Sequence, residues 1–129
     1  LELKEIQAIF KGDRFADELG AEILEGRQGF ARCGLLLREN HRNAAGGVMG
    51  GVLFTLADFA FAVAANWEKM NTVSLTSQIT FLSRVRGARL EAAASCVKTG
   101  KSTCCYTVEI TDDLGTKVAL VSTTGFISG

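Results

Sequence analysis

Asp58 is the only ionisable side chain in the run Val52 to Asn66, where Ala, Leu, Phe and Val fill nearly every other position. A carboxylate in such company is costly unless it is hydrogen-bonded, paired, protonated or open to a water-filled cleft. It is therefore either a structural Asp satisfied by a neighbour such as Thr55, or a carboxylate tuned for general-base or nucleophilic work. Just upstream lie Gly46, Gly47, Gly50 and Gly51. Glycines let a ligand approach the backbone, and the free N–H groups at a helix N-terminus attract negative charge, so these donors suit a developing oxyanion.

Spacing sets a condition on that chemistry. Gly50 and Asp58 are eight residues apart, about 12 Å along a helix, too far for both to act on one carbonyl carbon. Two copies of the helix, antiparallel across a two-fold axis, would bring Asp58 of one chain beside the Gly50 N–H of the other. A site built this way belongs to a homodimer.

Other arrangements are excluded by their spacing. Gly100-Lys101-Ser102 lacks the upstream glycine of a phosphate-binding loop and reads as a hairpin turn. The glycines at 46, 47, 50 and 51 miss the spacing of dinucleotide folds. His41, the sole histidine, sits in the polar stretch Glu39 to Ala45 and reads as a solvated loop residue, and no G-x-S-x-G elbow accompanies it. Cys33, Cys96, Cys104 and Cys105 show no C-x-x-C spacing, so reduced core thiols are expected, with neither a metal site nor a disulfide framework. Fourteen basic and fourteen acidic residues are dispersed along the chain, which argues against nucleic acid and anionic lipid as partners. Arg84, Arg86 and Arg89 form a local basic cluster that reads as a solvated edge or a phosphate contact. With no signal-peptide pattern visible, a cytoplasmic location is expected.

The elements that must position these residues follow from hydrophobic period. At 129 residues and 47% hydrophobic content the chain reads as one domain, 1–129. Leu3, Ile6, Ile9 and Phe10 predict an N-terminal helix over 1–12, followed by a polar link from Asp13 to Glu18. Residues 21–25 and 30–37 predict two strands. The central helix is placed at 49–67, apolar on every face and so requiring cover all round, but too short to span a bilayer. Period-two alternation then predicts a long strand in which Val73, Leu75, Ile79 and Phe81 share one face and Ser74, Thr76, Gln78 and Thr80 the other. Three more strands follow, at 90–98, 103–111 and 117–126. An α+β fold results, an antiparallel sheet curled around one buried helix.

The segment Asn43 to Asp58, with Asn upstream of Gly-Gly and Leu-Ala-Asp beyond it, resembles the hotdog-fold acyl-CoA thioesterases, in particular the phenylacetate-degradation (PaaI-like) branch. The long strand after the helix and the hairpin at Asp113 to Ala119 fit the same pattern, and the resemblance covers about residues 20–127. It implies a hotdog fold whose helix packs against its two-fold mate, with the active site between subunits and a tetramer of two dimers. It implies hydrolysis of acyl-CoA or aryl-CoA thioesters without metal or redox cofactor. Asp58 would attack or activate water, the Gly50 N–H would polarise the thioester carbonyl, Asn43 would place water or leaving group, and Ser74 would hold the water or the carboxylate. Met49, Gly51 and Phe81 would line the substrate site, with Arg84 and Lys101 as candidate contacts for the coenzyme A phosphates. Met49 stands where the family usually has histidine, and a non-catalytic acyl-CoA-binding domain is the alternative this departure raises.

Overall fold

A computed structural model describes residues 1–129. Two short helices, α1 (Leu3–Phe10) and α2 (Arg14–Leu19), precede strands β1 (Glu22–Arg27) and β2 (Phe30–Leu36). A single 3-10 turn at Glu39–His41 leads to α3 (Gly50–Ala65), and β3 (Thr72–Phe81), β4 (Arg89–Thr99), β5 (Thr103–Asp112) and β6 (Lys117–Ile127) complete the chain. All six strands pair antiparallel in the order β1-β2-β4-β5-β6-β3. The sheet curls so that α3 packs against every strand. This is the hotdog arrangement, and no helix is long and apolar enough to cross a membrane.

Alternation explains the wrapping. On β5, Cys104, Tyr106, Val108 and Ile110 are buried while Cys105 and Glu109 are exposed, so one apolar face turns onto the helix. There the Phe61 ring meets Tyr106 edge-on at 5.2 Å. At the other flank Phe10 of α1 meets Phe59 at 5.9 Å.

Three features depart from the sequence expectations. The polar link from Asp13 to Glu18 is mostly helix: α2 buries Ala16 and ends on Gly20 in the left-handed region at φ 98°, whose N–H, with that of Ala21, caps the Ala16 carbonyl. Its polar composition hides it, because only a narrow side of six residues needs to be apolar. Second, α3 is not covered all round by its own chain: Gly51, Phe54 and Asp58 are exposed and Thr55 and Ala62 half-buried, forming one open stripe. Phe61, three residues beyond Asp58, points into the core.

The third departure is a bulge in β3 between Ser74 and Thr76. Ser74 lies opposite Gly125, where an added side chain would meet Cys104 Sγ at 2.8 Å and Phe61 at 2.9 Å, so this position faces the helix. Past the bulge, Ser77, Ile79 and Phe81 lie opposite Thr123, Val121 and Ala119, all buried on the same side. The extra residue shifts the period by one. Ser74 thereby joins the helix-facing side, while Val73, 62% exposed, is turned to the other.

Candidate active site

The loop before α3 is built around Asn43. Its Oδ1 accepts the N–H groups of Ala45 (3.0 Å) and Gly47 (2.9 Å), and its own N–H donates to the Gly47 carbonyl at 2.7 Å. Such a turn needs Gly46 at φ 85°, a left-handed conformation that glycine adopts without strain. Asn43 is thus a loop organiser, with its carbonyl oxygen already committed and its amide N–H groups free.

Met49 caps α3 with extended backbone, its N–H donating to the His41 carbonyl at 3.0 Å and its carbonyl accepting from Val52 at 3.0 Å. The Gly50 and Gly51 N–H groups find no acceptor within the chain. A side chain at Gly50 would also displace Phe81: a Cβ there would stand 2.9 Å from Cζ of that residue, whose ring covers the start of the helix.

Asn43, Gly50, Phe81 and Arg84 come together on the walls of one cleft of about 610 Å³, joined by Arg42 and Leu53. Met49 lies at its edge in sequence, half exposed, and Gly51 opens the uncovered stripe. Asp58 is two turns further along that stripe and does not line this cleft. Partial withdrawal from solvent by the surrounding protein, and then the negative charge of Asp13, push its carboxyl above the ordinary carboxylate value. Ser74 is exposed on the helix-facing side of β3, seven residues from Phe81 and so toward the far end of the strand. Lys101 is in the β4–β5 turn; its neighbour Gly100 lines a separate cleft with Ala65, at the opposite end of α3 from Gly50. Within one chain, then, Gly50 and Phe81 are gathered, while Asp58, Ser74 and Lys101 stand apart.

Sequence reasoning missed three residues. Arg42 lines the cleft, and its position in a polar loop carries no signal of this. Asp13 acts on Asp58 across the contact between α2 and α3, which no local pattern reveals. His41, read as solvated, is 1% exposed: its Nδ1 accepts the Arg38 N–H at 3.0 Å, and Nε2 lies 2.9 Å from the Leu19 carbonyl. Burial is tolerable because both ring nitrogens are satisfied. No group of three or more His, Cys, Asp or Glu side chains is placed to hold a metal ion.

The family model described as the thioesterase superfamily matches residues 45–119. The acyl-coenzyme A thioesterase PaaI of Escherichia coli is 34% identical over 114 residues, 88% of this chain and 81% of that protein. The crystal structure of the E. coli PaaI protein from the phenylacetic acid degradation operon superposes with a TM-score of 0.88 at 29% identity, covering 99% of this chain and 97% of that one. A hypothetical thioesterase of Streptococcus pneumoniae, solved with coenzyme A, gives 0.81 at 28% identity over 93% and 97% of the two chains. A family match across more than half the chain, on a fold shared end to end, makes this protein a member of the thioesterase superfamily, a thioesterase of the PaaI-like hotdog type.

Proposed function

We propose that this protein hydrolyses acyl-CoA or aryl-CoA thioesters in a site shared by two copies of the chain, without a metal or redox cofactor. The observation that carries this reading is the open stripe of α3, which begins at the unpaired Gly50 and Gly51 N–H groups and continues to Asp58. Both ends of a thioester-cleaving apparatus lie on one uncovered surface, about 12 Å apart, so each needs the other end from a second copy. Exposed Phe54, Leu75 and Phe81, together with the unpaired edge of β3, offer that copy an apolar, hydrogen-bonding surface.

In the proposed step the Gly50 N–H receives the thioester oxygen as charge builds on it. Asp58 of the other copy either takes a proton from water as the water oxygen bonds to the carbonyl carbon, or attacks that carbon itself to give an anhydride that water then opens. The carbon–sulfur bond breaks, coenzyme A leaves as thiolate and is protonated, and the free acid remains. Asp58 with a raised pKa is a stronger base than an ordinary carboxylate, provided the pH keeps it ionised. Ser74 on the helix-facing side of β3 would hold the water or the carboxylate, and Arg84 and Arg42 would meet coenzyme A phosphates. Two such dimers would associate into the tetramer.

Steady-state release of coenzyme A from aryl, short-chain and long-chain acyl-CoAs, corrected for the protein's own four thiols, tests the reading. Turnover by the wild type, with a loss of about a hundredfold or more in a folded dimeric Asp58→Asn, is expected. Binding of these thioesters without turnover would instead establish a non-catalytic acyl-CoA-binding domain. Met49 favours that second reading only if an imidazole is needed for chemistry; the loop itself uses the backbone of Met49 and not its side chain.

A further inference from the structure

We propose that His41, through its ring and its carbonyl, is a positioning residue that sets where the Gly50 N–H points. The inference rests on the assignment of Gly50 as the donor to the thioester oxygen. His41 is the most thoroughly buried polar side chain in the chain, and no chemistry has yet been attached to it. Its two ring nitrogens and its carbonyl reach three different residues, and its own N–H donates to the Arg38 carbonyl at 3.1 Å. Nδ1 accepts from the Arg38 N–H at 3.0 Å, which leaves the ring proton on Nε2, where it donates to the Leu19 carbonyl at 2.9 Å. The His41 carbonyl accepts from the Met49 N–H at 3.0 Å, one residue before Gly50.

The far anchor carries two further bonds. The Arg38 guanidinium donates to the Glu18 carbonyl and, at 2.7 Å, to the same Leu19 carbonyl, so ring and guanidinium together close the C-terminal end of α2. From the other end of α2, Asp13 acts on Asp58. The imidazole is therefore a strut between the hydrogen-bonded end of α2 and the peptide that precedes the proposed oxyanion donor. Only the neutral ring, with an acceptor on one nitrogen and a donor on the other, satisfies both partners at once. A tilt of this ring moves Met49, and a displacement of about 1 Å at a reacting group costs on the order of a hundredfold in rate.

The test uses two uncleavable ligands on the full-length dimer: a coenzyme A ketone, in which methylene replaces the sulfur and the carbonyl is retained, and a coenzyme A thioether with no carbonyl. With a 13C-labelled carbonyl, infrared difference spectra of wild type should show the ketone stretch lowered by the Gly50 N–H. His41→Phe keeps the ring and removes both nitrogens. It should lose most of that lowering and about a hundredfold in kcat, with KM and thioether affinity within about threefold of wild type. His41→Asn retains an acceptor for Arg38 and His41→Gln a donor for Leu19, and both should be intermediate. A folded His41→Phe dimer with an unchanged stretch and kcat would overturn the proposal while leaving the Gly50 assignment intact. A wild-type spectrum with no lowering would overturn the assignment and the proposal with it. If the variants do not fold, 15N spectra of wild type decide: the His41 ring signals should report an Nε2–H tautomer that shifts on binding the ketone and not the thioether, and equal responses to the two ligands refute it.

Discussion

The ring of Phe81 lies directly over the backbone of Gly50, so close that a single added methyl would stand 2.9 Å from Cζ. One strand end and one helix start are thus fitted to each other. In Gly50→Ala the ring must swing aside, which it can do at the exposed end of β3, while alanine favours the helix over glycine by about 1 kcal/mol. Thermal stability should therefore change little, whereas kcat should fall at least tenfold because the methyl and the displaced ring crowd the donor. Phe81→Leu added to Gly50→Ala should recover part of the loss, as kinetics on the double variant would reveal.

In the proposed reaction Asp58 carries the pH dependence. Its carboxyl is held above the ordinary value of about 4 by withdrawal from solvent and by Asp13, so kcat/KM should fall with decreasing pH through that raised value. Asp13→Asn removes the second cause and should shift the acid limb to lower pH. The stability consequence has the opposite sign: a folded state that binds the Asp58 proton more tightly loses stability as pH rises. Asp58→Asn should melt at the same temperature as wild type or higher at pH 7, while being inactive.

Asp112 works the other way. Burial opposes its ionisation, but the N–H groups of Arg86, Gly87, Leu114 and Thr116 all donate to it and hold the carboxyl far below the usual carboxylate range. This one side chain ties the segment after Arg84 to the β5–β6 turn. Stability from it is complete above the unfolded value near 4 and is lost as pH falls below that. Asp112→Ala should cost about 2 kcal/mol in urea unfolding at pH 7, and the deficit should shrink in acid.

Leu75 stands on the β3 bulge, 56% exposed and on the unpaired edge of the sheet. Leu75→Lys should leave the chain folded, since no core contact is lost, yet give a monomer at micromolar concentration in sedimentation. Activity should fall by at least a hundredfold if the site is shared. A fully active monomer would end the two-copy reading.

Thiol reactivity separates exposed Cys105 from buried Cys33 and Cys104. Burial pushes the Cys33 thiol up to about 12, against a smaller opposing pull from the Arg32 charge, and burial likewise raises Cys104. Cys105 is exposed on the outer face of the sheet. A disulfide reagent at pH 8 should label Cys105 within seconds to minutes and reach Cys33 and Cys104 only on unfolding.

The helix that carries Asp58, the glycines before it and the alternating strands after it are all local patterns, and hydrophobic period suffices to read them. The resemblance likewise rested on contiguous residues, Asn43 to Asp58, and the family match bears it out. What the sequence could not determine was decided by contacts between distant segments. One bulge residue reversed the face of Ser74, because a strand's period of two makes every side-chain direction depend on register. His41 sits in a polar stretch yet is buried, because Leu19 and Arg38 supply the bonds that make burial affordable. The open stripe on α3 is invisible in a run that is apolar on every face save for Thr55 and Asp58: only the finite reach of one six-stranded sheet leaves Phe54 and Asp58 uncovered, and that uncovered face is the physical reason to expect a second copy.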